Sequence, residues 1–352
     1  MSDPGAPLPR ADEPPLNGLR VIDLTRLLPG PLATHQLVEW GAEVLKIEDP
    51  ASGDGTRHML LSPGDRAHDS ESGLFRHLND GKQLMRLDLR EAAGRQALLD
   101  LVRGADALIE GFRPGVMDRL GVGWSVLREI NPKLVMCAIT GYGQQGPYAL
   151  RAGHDINYIA LAGVLGQNAA LDADPVVPNF QIADLMGGTQ SALSGLLAGL
   201  IGAQRTGRGR FVDVSMTHQV WKHHVISRFE ARAYGAPTRP GRGLLSGGSP
   251  CYGVYRTADG RHLAVGALEL KFWAKLCEVV HRPDWADRHW SLGQWPASDD
   301  ALSLRAELAA LLAAEPLSHW MPLFEAADCC VTPVLRLDEV PQHPWFGERS
   351  GL

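Results

Sequence analysis

The stretch Leu19-Arg20-Val21-Ile22-Asp23-Leu24, followed by Leu28-Pro29-Gly30-Pro31, a helical run to Trp40, Gly41 and then Glu43-Val44-Leu45-Lys46-Ile47, decides the fold class. Two short apolar runs bracket a helix that opens near proline and closes on glycine, which is how a β-α-β unit reads in sequence. Glu48 and Asp49 give the second strand an acidic tip. An acid there invites a dinucleotide reading. The turn lacks the G-x-G-x-x-G that lets a pyrophosphate approach the backbone, so nicotinamide binding is not expected. Ala107-Leu108-Ile109-Glu110 and Leu134-Val135-Met136-Cys137-Ala138-Ile139 are further apolar runs that end in glycine-bearing loops, as parallel strands of a doubly wound sheet do. Ligands on such sheets bind outside the carboxyl ends of the strands. Phe112-Arg113-Pro114-Gly115 and Thr140-Gly141-Tyr142-Gly143 are therefore expected on the ligand edge.

Further along, Asp184 is read as the N-cap of a buried helix over 185–204, closed by Thr206-Gly207-Arg208-Gly209 and followed by a strand at Phe211-Val212-Asp213-Val214. The character changes after about Val220, where tryptophan and histidine become common. Tyr252-Gly253-Val254-Tyr255-Arg256 and His262-Leu263-Ala264-Val265 flank Asp259-Gly260, a hairpin signal. Helices are expected over 272–280, 302–313 and 317–327, then a strand at Cys330-Val331-Thr332-Pro333-Val334-Leu335. The expected fold is α/β: a Rossmann-like large domain with a parallel sheet from 18–225 and 329–352, and a smaller α+β domain over 226–328. Residues 1–17, rich in Pro, Asp and Ala, read as a disordered tail.

Composition bounds the function. The chain has 352 residues, 45% hydrophobic and 21% charged, enough for a sizeable core and long enough for two domains. A net charge of -6 gives no long-range attraction for nucleic acid or an anionic membrane, and neither is expected as a partner. Of the five cysteines, Cys329 and Cys330 are adjacent, which is neither a disulfide framework nor a zinc spacing. A reducing cytoplasm and no metal follow as expectations.

Two segments carry chemistry. Gly153-His154-Asp155-Ile156-Asn157-Tyr158 and Ile182-Ala183-Asp184-Leu185-Met186-Gly187-Gly188 offer one imidazole and one carboxylate, the groups needed to move a proton on and off opposite faces of one carbon. Taken alone, each has a plainer reading. His154-Asp155 would cap a turn, Asp184 would cap a helix, and Tyr158 would be core.

Five segments together resemble the class III CoA-transferase superfamily and, within it, the α-methylacyl-CoA racemases. They are Gly153 to Tyr158, Phe112-Arg113-Pro114-Gly115-Val116, Tyr255-Arg256-Thr257-Ala258-Asp259-Gly260, Ala264-Val265-Gly266-Ala267-Leu268-Glu269 and Asp328-Cys329-Cys330-Val331-Thr332-Pro333-Val334-Leu335. The resemblance covers roughly 16–340 and implies two subunits interlocked like links of a chain. It also implies an acyl-CoA thioester as substrate, with coenzyme A as part of that substrate and no separate cofactor.

The superfamily runs two chemistries. In the transferases, an aspartate at the position of Asp184 attacks the thioester and passes CoA to a second acid through covalent intermediates. In the racemases the same aspartate faces a histidine, at the position of His154, across the α-carbon, with an enolate between them. His154 favours the racemase, and Glu269 stands where the racemases carry a glutamate that supports the histidine. The resemblance assigns Leu87, Asp88, Leu89, Arg90, Gly111, Phe112, Arg113, Arg119, Gly153, Asp155, Ile156, Asn157 and Tyr158 to the CoA site. Arginine suits phosphate because its planar fork pairs with two oxygens. The backbone N–H of Asp155 is expected to face the enolate oxygen.

Three features depart from the racemase pattern. Asp49 stands where the family usually has an arginine directed at the nucleotide. The stretch 53–82 is longer than in racemases and looks more like the transferases. Leu352 falls soon after Pro344-Trp345-Phe346, where relatives usually continue, which is read either as a weaker dimer embrace or as a different lineage. A CoA-transferase is the serious alternative, and a silent CoA-binding protein is a third.

Overall fold

The computed structural model describes residues 13–347 and divides into two compact units. Among the described residues, the first comprises 13–165 and 178–225, the second 166–177 and 226–347.

The first unit is built on six parallel strands: β1 (Arg20–Leu24), β2 (Glu43–Glu48), β3 (Gln83–Arg86), β4 (Ala107–Glu110), β5 (Val135–Thr140) and β6 (Arg210–Ser215). Their order is β3-β2-β1-β4-β5-β6, the doubly wound arrangement, with the reversal between β1 and β4. Successive residues of the central strands face opposite layers, and both are buried. Val21, Ala107, Ile109, Val135 and Cys137 pack on α1 (Pro29–Glu39) and α4 (Ser191–Thr206), through Ala33, Leu37, Leu193, Leu196 and Leu200. Ile22, Leu24, Leu108 and Met136 pack with Leu98 and Val102 of α2 (Ala92–Val102). This is why the strands read as unbroken apolar runs. Pro29 opens α1, where its missing N–H costs nothing, and Gly41 at φ +94 lets the chain turn back into β2.

Helix α3 (Asp155–Leu161) follows β5 at a distance. The long helix expected from 185 differs in its beginning. Residues Ala183–Gln190 are π-helical, and only then does α4 run. Two glycines let this wide segment approach its neighbours. A Cβ at Gly187 would lie 2.7 Å from the carbonyl of Met216, and one at Gly188 would lie 2.7 Å from Pro29. Met216 opens α5 (Met216–His223).

In the second unit, β7 (Tyr252–Arg256) and β8 (His262–Gly266) form the expected hairpin, with Gly260 at φ +76 in its turn. Helices α6 (Leu270–Val279), α7 (Asp299–Leu312) and α8 (Leu317–Ala327) bury Trp273, Leu304, Leu308, Trp320 and Phe324 against it. The domain boundaries differ from those read in sequence. The strand β9 (Val331–Pro333), assigned with 329–352 to the large domain, pairs antiparallel with β8, and Cys329 and Val331 join the core of the second unit. A short apolar run signals burial but not which sheet receives it. Residues 348–352 of that segment lie outside the described residues. Of the tail expected over 1–17, residues 1–12 also lie outside them, while 13–17 are folded. The N–H of Leu16 donates to Trp40 O at 2.9 Å, and its side chain packs on the first core.

Candidate functional site

Loops at the carboxyl ends of the strands enclose two adjoining cavities in the first unit. The larger, about 830 Å³, is lined by Thr25, Arg26, Leu27, Pro29 and Gly30 after β1, by Gly111, Phe112, Arg113, Pro114, Val116 and Arg119 after β4, and by Thr140, Gly141 and Tyr142 at the end of β5. Arg151, Gly153, His154, Tyr158, Asp184 and Met216 complete it. The smaller, about 280 Å³, is lined by Leu24, Ile47, Glu48, Asp49, Ser52, Leu87, Asp88, Leu89, Arg90 and Leu120 and shares Arg26, Phe112 and Val116 with the first. Both lie at the reversal in strand order, the place where doubly wound sheets hold ligands.

His154 is the N-cap residue of α3, and its backbone N–H donates to Asn157 Oδ1 at 3.0 Å. Asp184 sits in the first turn of the π-helix rather than at its N-cap, which is Ile182. The expected capping role falls to Asp155, whose Oδ1 accepts from the backbone N–H groups of Ala183 at 2.6 Å and Asp184 at 3.0 Å. One carboxylate thus ties the start of α3, with its histidine, to the start of the π-helix, with its aspartate. Burial raises the pKa of Asp184 to about 6, the charge of Asp155 adds to the rise, and His154 opposes it.

Tyr158 is both core and cavity wall. It is buried, its hydroxyl donates to Gly153 O, and burial pushes its phenol up to about 12, so it stays a donor at neutral pH. Glycine is required around it, since a Cβ at Gly141 would lie 2.3 Å from the ring and one at Gly153 2.7 Å. Beneath the loop after β4, Glu110 is buried and accepts from the N–H of Phe112 at 2.7 Å. Burial pushes Glu110 up to about 7.

The β1–α1 loop is held by buried charges. Lys46 Nζ donates to Thr25 O at 2.9 Å and to Asp54 Oδ2 at 3.0 Å, and Asp54 Oδ1 accepts from Leu27 N–H at 3.1 Å. Asp23 accepts from Thr25 N–H at 2.8 Å, from Thr34 Oγ1 at 2.6 Å and from Lys82 Nζ at 3.2 Å. Within this clamp Leu27 takes a left-handed conformation at φ +67, and Arg26 is presented to both cavities.

The structure gathers most of the residues singled out in sequence. Gly111, Phe112, Arg113, Arg119, Gly153, His154, Tyr158 and Asp184 line the first cavity, and Leu87, Asp88, Leu89 and Arg90 line the second. Asp155, Ile156 and Asn157 are not in either wall; Asp155 and Asn157 cap helices, and Ile156 is exposed. Glu269 belongs to the second unit, exposed at the N-cap of α6. Sequence reasoning passed over Arg26, Arg151 and Met216. Among the described residues, no carboxylate lies within ion-pairing distance of Arg26, Arg113, Arg119 or Arg151, whereas Arg90 is paired with Asp88 at 2.8 Å and Asp49 at 3.2 Å. The described residues contain no cluster placed to hold a metal and no helix long and apolar enough to cross a membrane.

The fold and site are those of a doubly wound α/β protein with two adjoining cavities at its switch point and a histidine and a carboxylate in one wall. The sequence model of CoA-transferase family III matches residues 16–352, and the chain belongs to that family. It is 33% identical over 345 residues to a human protein named alpha-methylacyl-CoA racemase, covering 96% of this chain and 82% of that one. It is 32% identical over 337 residues to a mouse succinyl-CoA:glutarate CoA-transferase, covering 93% of this chain and 73% of the relative. A crystal structure of a CAIB/BAIF family protein from Brucella suis superposes with a TM-score of 0.80 at 27% identity, covering 96% of this chain and 88% of that one.

Proposed function

We propose that the protein is a racemase or epimerase that inverts the α-carbon of 2-methyl-branched acyl-CoA thioesters. The observation that carries this reading is the presence of His154 and Asp184 in the wall of one cavity, joined through the Asp155 carboxylate. In the proposed reaction one of the pair takes the α-proton from one face of the acyl chain. The thioester becomes an enolate, and the other returns a proton to the opposite face. With its carboxyl raised to about 6, Asp184 has a conjugate acid strong enough to donate near neutrality and a base strong enough to accept. Asp155 N–H, at the first position of α3, has no intrahelical acceptor and is the proposed donor to the enolate oxygen. The CoA moiety spans the two cavities. A role for Glu269 in supporting His154 rests on the resemblance alone. We also propose an interlocked homodimer, for which exposed Ile226, Phe229 and Tyr234 on the helix Val225–Tyr234 provide an apolar face. Light scattering would read its mass.

A second reading is a CoA-transferase, favoured by the transferase relative above and by Asp184 itself. Its Oδ would attack the thioester carbonyl and expel the CoA thiolate, leaving a mixed anhydride. The thiolate would then attack the aspartyl carbonyl and release the first acid. One experiment separates the two. A single epimer of a 2-methylacyl-CoA is incubated in deuterated water without an acceptor acid. α-Deuterium uptake with epimerisation supports the racemase. No exchange, followed by CoA transfer once acids are added, selects the transferase. In the first case His154→Ala should abolish exchange from at least one epimer while CoA affinity stays nearly unchanged.

A further inference from the structure

We infer that Arg26 is the residue that holds the nucleotide phosphate of the thioester, in place of an arginine in the second cavity that this chain has put out of use. The inference rests on the acyl-CoA reading and concerns where the anion of that substrate is bound.

The second cavity is lined by the apolar Leu24, Ile47 and Leu89, by the buried Glu48 and by the carboxylates of Asp49 and Asp88. Its one arginine beyond the shared Arg26 is Arg90, whose Nε and Nη2 are engaged by carboxylates. Nε meets Asp88 Oδ1 at 2.8 Å, and Nη2 meets Asp88 Oδ2 at 2.8 Å and Asp49 Oδ2 at 3.2 Å. Glu48 is neutralised by Arg57, whose Nη2 and Nε meet its two oxygens at 2.9 and 3.0 Å, and Asp49 and Asp88 share Arg90. Among the described residues Arg26 is therefore the one cation lining this cavity that has no ion pair, and the Asp49–Asp88 edge favours a neutral base offering an exocyclic amine over a phosphate. The charge pattern therefore sorts an adenine nucleotide, with the ring in the small cavity and the phosphates turned out toward the junction with the large one.

Arg26 stands at that junction, lining both cavities. Its guanidinium lies 5.7 Å from the centre of the Phe112 ring and, among the described residues, makes no ion pair. Its neighbours on both sides are fixed by buried groups, Thr25 by Lys46 and Asp23 and Leu27 by Asp54. A free guanidinium on a backbone already ordered loses little entropy when it closes on a phosphate, and its planar fork suits two phosphate oxygens.

Calorimetric titration of the full chain with CoA and with dephospho-CoA tests this. Arg26→Gln should weaken CoA binding about tenfold or more, and Arg90→Gln less than about threefold. Loss of the Arg26→Gln effect with dephospho-CoA would identify the 3′-phosphate as the group held, and persistence would identify the diphosphate; either supports the inference. Adding Asp49→Asn to Arg26→Gln keeps the oxygen that caps the 49–52 turn but lifts one charge from Arg90, and should restore part of the lost affinity. Arg26→Gln binding CoA within threefold of the parent, Arg90→Gln losing as much as Arg26→Gln, or no recovery in the double variant would overturn it. If the unaltered protein does not bind CoA, the acyl-CoA reading itself fails. Arg26 is exposed, so an unchanged unfolding midpoint checks that the variant is folded.

Discussion

Asp23 and Asp184 are two carboxylates at the same edge of the same sheet, and they are treated in opposite ways. Both feel burial, which alone would raise the pKa of each. At Asp23 the charges of Lys82 and Lys46 and the hydroxyls of Thr25 and Thr34 outweigh it and hold the carboxyl below its ordinary range. Asp184 receives no such compensation. Asp155 adds a like charge, only His154 pulls the other way, and the pKa settles at about 6. The first aspartate is spent on fixing a loop. The second is left short of partners, the condition of a group that must change its protonation state to work.

The largest expected effect of breaking this comparison is kinetic. Asp184→Asn keeps the shape but removes the titrating group, and either proposed chemistry should fall by about 10²–10⁴-fold in kcat. Thioester turnover by the purified variant, against the parent at saturating substrate, measures it. Retention of a tenth of the activity would remove Asp184 from the reaction. At Asp23 the same logic predicts a loss of stability. Asp23→Ala leaves Lys82 buried beside Pro31 O and Asn79 Oδ1 without its counter-charge. The expected cost is about 3–5 kcal/mol, read as a lower urea midpoint of the first unit's transition with little change in slope. The β1–α1 loop should loosen with it, because Asp23 also holds Thr25.

Much of this was legible in sequence, for a physical reason. Parallel strands buried on both faces leave unbroken apolar runs, so β1, β2, β4, β5 and the ligand edge beyond them could be placed from residue types alone. His154 and Asp184 offered an imidazole and a carboxylate, but taken alone each reads as a cap, and it was the family resemblance that set them across one α-carbon. β3 was passed over because it is only four residues long, with Leu84 and Met85 its only apolar pair, and all four are exposed at the sheet edge. Lys46 is charged, yet its side chain is wholly buried on Asp54, a pairing that composition does not reveal. The cap that Asp155 places on Ala183 crosses 28 residues of chain, and helix starts were read from local neighbours only. Arg26 looked like an ordinary turn cation, and only the cavities on either side of it show otherwise. The sheet that takes Val331–Pro333 was likewise beyond a local pattern.

The smallest effect is the one that sharpens the comparison most, because it has the opposite sign from that at Asp23. An aspartate whose pKa is about 6 when folded and near 3.8 when unfolded binds its proton more tightly in the native state. Stability therefore falls as pH rises from about 4 to 6, and the full cost is present above 6. The shift corresponds to about 3 kcal/mol, and solvent screening of a partly exposed carboxylate reduces this to about 1–2 kcal/mol. Asp184→Asn carries no such cost. It should unfold at higher urea than the parent at pH 7.5, and the gain should shrink as pH is lowered through 6 and vanish below 4. A variant less stable than the parent at pH 7.5 would mean that Asp184 is a satisfied structural carboxylate like Asp23, and the contrast between the two would be lost.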